Sequence, residues 1–175
     1  MRNLITEKPM SSCIAQACSG ALLAFALLFS HSSHVNAEGV KPPVSASGVI
    51  AIKSAYDVAG TVDRLKKDIA AKGIMFFQEI DQAQLASKAG IELRPSVLLI
   101  FGNPPLGTQF LTANPQAGLD WPVRMLVYRD AQGQVWVAWT DFEWIARRHG
   151  VTTRDQQFHM ATEVAASIAS SAASR

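Results

Sequence analysis

Five apolar residues, Val97 to Phe101, run without a polar break into Gly102-Asn103-Pro104-Pro105-Leu106-Gly107-Thr108. An unbroken apolar run of this length, ended by turn residues, reads as a strand covered on both faces. Glycine admits backbone geometries closed to other residues, and proline fixes φ and removes a donor. Two of each within seven residues predict a loop of fixed shape set against a rigid strand, a common seat for binding groups.

The rest of the chain is punctuated in the same way. Val49 to Lys53 predicts a first strand. Asp57 is placed to cap a helix whose Val58, Val62, Leu65 and Ile69 share one face, with Gly73 as its stop. Ile74 to Ile80 predicts a second strand, and Asp81 caps a helix over Gln82 to Ala89 that Gly90 closes. Arg94-Pro95 brings the chain in extended to the third strand. A short helix is expected from Thr108 to Ala113, stopped by Asn114-Pro115. Val123 to Arg129 and Gln134 to Thr140 flank Asp130-Ala131-Gln132-Gly133 as a hairpin. Asp141 opens a helix ending at Arg148, and Met160, Val164, Ile168 and Ala172 mark one face of a last helix.

Strands, helices and a late hairpin in this order predict an α+β fold: two layers, with helices packed on one face of a small mixed or antiparallel sheet. In the last strand Val135, Val137 and Trp139 lie on one face, Trp136 and Ala138 on the other. Apolar residues on both faces imply that both are covered, the second by another subunit, so a homodimer is expected.

Residues 1–37 read as a secretory leader: Arg2 and Lys8, then nine apolar residues from Ala21 to Phe29, then Val35-Asn36-Ala37 at the cleavage site. Nine residues fall short of the roughly 20 a membrane span needs, so no stable span is expected once the leader is removed. Removing 37 of the 175 residues leaves 138, with 14 basic and 13 acidic side chains. That balance offers no field for nucleic acid. Both cysteines, Cys13 and Cys18, go with the leader, which excludes thiol catalysis and thiolate–metal centres. The expected location is the periplasm, or the medium. The organisation is a leader (1–37), a flexible segment (38–47), one domain (48–151) and a C-terminal helix or tail (152–175).

Thr61-Val62, Ile80-Asp81, Arg94-Pro95, Phe101-Gly102-Asn103-Pro104 with Gly107-Thr108, Asp120-Trp121-Pro122, the hairpin, and Arg147-Arg148-His149-Gly150 together resemble the family called Domain of Unknown Function 302, from about Ile50 to Val151. The resemblance implies a small α+β domain with helices against a curved sheet, found alone or fused to other modules, and implies no particular activity. Gln82 stands where the family often has His, and Trp121 where it often has Leu. An amide does not titrate near neutral pH, so Gln82 supplies no general base.

The chemistry of the residues themselves is sparse. Gly102 to Gly107 has the glycine spacing of a phosphate loop, but the required Lys is missing and two prolines delete donors. If Thr108 caps the short helix, the amides of Gln109 and Phe110 point outward and favour an anion. His149 and His159 fit no zinc spacing, and no serine elbow is present. No cofactor or metal is expected. The sequence therefore predicts a noncatalytic ligand-binding or accessory domain. Its pocket is framed by Asn103, Gly107, Thr108 and Asp120, with Trp121 as a wall, and takes a small polar or anionic molecule or a partner's peptide. The alternative is an enzyme with Asp81 or Asp120 as acid–base and the loop amides as an oxyanion site.

Overall fold

The computed structural model describes residues 42–173; the expected leader lies outside the described residues. The order is β1 (Val49–Lys53), α1 (Val58–Ala71), β2 (Met75–Asp81), α2 (Gln82–Lys88), β3 (Ser96–Gly102), α3 (Pro104–Ala113), a 3₁₀ turn (Pro115–Leu119), β4 (Val123–Arg129), β5 (Val135–Thr140), α4 (Phe142–Arg148) and α5 (Asp155–Ser170). The strands form one sheet in the order β1-β5-β4-β3-β2, and every neighbouring pair is antiparallel. The fold is thus α+β, and of the two sheet types expected it takes the antiparallel one.

Local chemistry sets the boundaries. Asp57, Asp81 and Asp141 each accept from a first-turn amide, of Gly60, Gln84 and Trp144 respectively. Gly73 follows α1 at φ 66°, and Ile74 N–H reaches back to the Ile69 carbonyl, the left-handed exit that favours glycine. The hairpin is fastened by Asp130, whose carboxylate accepts from the Gln132 and Gln134 amides and from the Trp136 indole N–H at 2.7 Å. That indole contact is the main reason the Asp130 carboxyl is held below its ordinary pKa.

The core lies on one face of the sheet. Ile50, Trp139, Met125 and Leu99 stand side by side across four strands, and all are buried. Leu65 and Ile69 of α1 and Ile168 of α5 close over this face and are fully buried.

The structure corrects the sequence reading in two places. The third helix starts at Pro104, four residues before Thr108. Asn103 is its N-cap, and Pro104 and Pro105 take the first two positions, where a missing N–H costs nothing and φ is already helical. The prolines that looked like loop punctuation are a helix start. In α5 the buried stripe is Phe158, Ala161, Ala165, Ile168 and Ala169, continuing to Ala172, whereas Met160 is exposed. The ring of Phe158 stacks on Phe110 at 4.2 Å, fixing which way the helix faces. The helix docks firmly: the Ala172 carbonyl accepts from Ala55 N–H and from the buried Ser54 hydroxyl.

Candidate functional site

Trp121 lies between the 3₁₀ turn and β4, joined to Pro122 by a cis peptide bond. Its indole rests against Gly102 at the end of β3 and Gly107 in the first turns of α3. Beneath it is a recess of about 40 Å³, walled by Phe101, Phe110, Phe142 and, from α5, Val164 and Ala165. A cavity of about 10–15 Å³ holds one water, so the recess takes a group of a few heavy atoms. Its walls are carbon. Phe77 meets Trp121 edge-on at 6.2 Å.

Gly107 is what allows Trp121 to sit there. A β-carbon on Gly107 would fall inside the van der Waals envelope of the indole. Replacing a mid-helix Gly by Ala normally gains about 0.8–1.0 kcal/mol, while overpacking costs about 1–3 kcal/mol. The clash wins, so Gly107→Ala should destabilise the domain by about 1 kcal/mol. With Trp121→Ala in the background the same change should stabilise by a similar amount. Urea unfolding of the four chains measures this, and additive effects would contradict the contact.

Asp120 belongs to a different assembly. Its side chain is 4% exposed and accepts from three groups: Arg124 Nη2 at 2.9 Å, Arg148 Nη1 at 3.1 Å, and the imidazole Nε2 of His149 at 2.6 Å. The His149 side chain is itself 5% exposed. Asn114 completes the joint, its amide donating to the His149 carbonyl at 2.7 Å while its Oδ1 accepts from Gln116 N–H. Asp120 and Asn114 therefore brace both ends of the 3₁₀ turn against the C-terminus of α4. The gap beside Asp120 measures about 10 Å³, too small for a substrate.

Of the five residues expected to frame one pocket, Asn103, Gly107 and Trp121 surround the recess. Thr108 does not: it is exposed, and its hydroxyl donates to the Pro104 carbonyl within the helix. Asp120 faces the ion cluster instead. Thr108 does not cap α3, so Gln109 and Phe110, whose amides were expected to face an anion, lie inside the helix. Pro104 and Pro105 have no N–H, Leu106 N–H bonds Asn103 Oδ1, and Gly107 N–H bonds the Asn103 carbonyl. Asp81, the other acid–base candidate, is exposed and caps α2. The ring of His149, at the end of α4, serves Asp120. Among the described residues no cluster of His, Cys, Asp or Glu is placed to hold a metal ion. The sequence reading missed Phe110 and Phe142 as walls, although their helical phase was available, and missed Arg148 and His149 as partners of Asp120. Separations of 28 and 29 residues left no local signal for that pairing.

A five-stranded antiparallel sheet with helices on one face and a small aromatic recess at one end defines an open-faced α+β domain. The chain belongs to the family described as Domain of unknown function DUF302, whose model matches residues 50–173. It is 35% identical over 113 residues to Fluoride-specific ion channel FluC 1 of Brucella suis biovar 1 (strain 1330), covering 63% of this chain and 44% of that protein. It is likewise 35% identical over 113 residues to Fluoride-specific ion channel FluC 2 of Brucella melitensis biotype 1, covering 63% of this chain and 42% of that one. The chain thus spans less than half the length of these curated relatives. Among solved structures, the uncharacterized conserved protein DUF302 from Bacillus stearothermophilus is similar, with a TM-score of 0.66 and 15% identity, covering 73% of this chain and 99% of that one. At that identity the likeness concerns the fold alone. Among the described residues no helix is long and apolar enough to cross a membrane.

Proposed function

We propose that this is an exported, noncatalytic accessory domain. It receives one apolar group, the side chain of a partner peptide or a small molecule of that size, in the recess roofed by Trp121. The observation that carries this reading is the recess itself: carbon-walled, about 40 Å³, and dependent on two glycines that let an indole close it. Sites for whole metabolites run to about 300–1,000 Å³, so the recess suits a knob, such as the end of a Leu or Val side chain. A polar or anionic ligand, expected from the sequence, would meet walls that are almost wholly carbon. Export rests on the basic start, apolar run and Val35-Asn36-Ala37 of the leader, with the periplasm as the destination. The accessory role draws support from the Brucella relatives, in which the shared segment is under half of a longer protein named as a fluoride-specific ion channel. The domain acts as a homodimer.

Acid–base chemistry through Asp120 has one observation in its favour, the 2.6 Å contact with His149. Two guanidinium groups share the same carboxylate, and no substrate-sized space adjoins it. A base so engaged has no lone pair aimed at a reacting atom.

The test is a titration of the full chain with isobutanol, followed by ¹⁵N–¹H spectra. The Trp121 indole and Gly107 amide signals should shift saturably, with a dissociation constant in the millimolar range that a ligand of about five heavy atoms allows. Gly107→Ala should abolish the shift. Linear shifts spread over the whole surface, or saturation unchanged by Gly107→Ala, would reject the recess as a binding site.

A further inference from the structure

The side of the sheet turned away from the core carries a second apolar surface. The pairing register places Ala51, Ala138, Leu126, Leu98 and Ile80 in one row across all five strands. Tyr128 and Trp136 stand opposite one another in the row on one side, and Ile100 stands beside Arg124 in the row on the other. None of these side chains belongs to the helix-backed core or packs against it. The larger ones are half-buried, and Ala138, between larger neighbours, is buried.

Several polar groups on this surface are already occupied within the chain. The Trp136 indole N–H donates to Asp130. Lys53 Nζ lies 5.6 Å from the centre of the Trp136 ring, a cation–π distance. Arg124 is held by Asp120 and by the Leu119 carbonyl. Ser96 donates to Gln82. Apart from the Tyr128 hydroxyl and Gln78, which stands beside Ile100, what remains to a partner is carbon, and the three rows carry no acidic residue.

We infer that this face is the homodimer interface, sheet packed on sheet about an axis through Leu126. The inference rests on the homodimer proposed above and goes beyond it by assigning the surface. A second copy is the occupant for three reasons. The row is apolar from edge to edge, so a two-fold rotation lays apolar surface on its own copy, the condition for an isologous contact. Arg124 is paired and Lys53 sits at the rim, so the middle of the face presents no free charge with which to select a different protein. The area also fits. The 32 residues of the five strands, spaced at about 3.4 Å along and about 4.8 Å across, make a face of roughly 520 Å² in projection. Side-chain relief brings this near the ~800 Å² per partner of a standard interface. Leu126, at the middle of the central strand, meets its own copy, and Lys53 falls at the rim, where water reaches it.

Sedimentation equilibrium of the full chain tests the assignment. The wild type should be a dimer, and Leu126→Lys should raise the dissociation constant by at least about 30-fold while keeping a cooperative thermal melt, since a central contact residue typically carries this much. If Leu126→Lys does not fold, Tyr128→Glu on the adjacent row gives the reading. A monomeric wild type overturns both the dimer and the face. A wild-type dimer that survives a folded Leu126→Lys or Tyr128→Glu overturns the face alone and leaves the homodimer standing. The isobutanol titration of the recess is independent of either result.

Discussion

A chain ended after Val151 should fail to fold, losing its cooperative thermal transition by circular dichroism. The expectation follows from what α5 covers. Phe158 and Ile168 are almost completely buried, and burying side chains of that size is worth about 1.5–3 kcal/mol each. Their removal also uncovers Phe110, which stacks on Phe158 and is 3% exposed in the intact chain. Ala161, Ala165, Ala169 and Ala172 leave with the helix, and each is buried. The Ala172 carbonyl goes too, stranding the Ser54–Thr61 hydroxyl pair at 2.6 Å in the interior with one partner fewer. The loss is of the order of the 5–15 kcal/mol that holds an ordinary domain together. A truncated chain melting within a few degrees of the full one would show that α5 is an appendage.

This helix also marks how far the sequence could be read. Its existence was legible from the apolar spacing, and Ile168 and Ala172 were placed on the correct face. Met160 was not, because alanines weigh little in a hydrophobic pattern. Yet Ala161, Ala165 and Ala169 are what let α5 lie close to its neighbours. Caps were the most readable feature: Asp57, Asp81 and Asp141 each fulfil the role their positions suggested, since capping is settled within four residues. Asn103 was the instructive failure. Pro104-Pro105 signals either a rigid loop or a helix start, and only the tertiary setting, with Phe110 turned into the core, chooses the helix. The site divided along the same line. Gly107 and Trp121 were legible as unusual residues, and the contact between them was not. Two of the three partners of Asp120, Arg148 and His149, come from the far end of α4, and no spacing rule reaches so far.

That long-range joint carries the other large expected effect. Asp120→Ala should destabilise the domain by about 3 kcal/mol, read as a lowered urea midpoint at unchanged slope. Breaking a buried ion pair by deleting one member costs about 3–5 kcal/mol, and the lower end applies because Arg124 and Arg148 are 48% and 46% exposed and regain water easily. His149 does not: at 5% exposure its Nε2 loses its partner without gaining solvent, and a stranded polar atom costs about 1–3 kcal/mol. The order of effects among variants therefore locates the energy. Arg124→Ala and Arg148→Ala should each cost about 1 kcal/mol or less, as exposed pairs do. In a cycle pairing Asp120→Ala with His149→Ala, the coupling should be at least about 1.5 kcal/mol, within the range for contacting residues. Asp120→Ala within about 0.5 kcal/mol of wild type would place the cluster among surface charges and contradict its role as a joint. Because Asp120 directly precedes Trp121, loosening the joint should also release the indole. The saturable isobutanol shift at Trp121 should then weaken in Asp120→Ala and persist in Arg148→Ala, tying the ion cluster to the recess through one peptide bond.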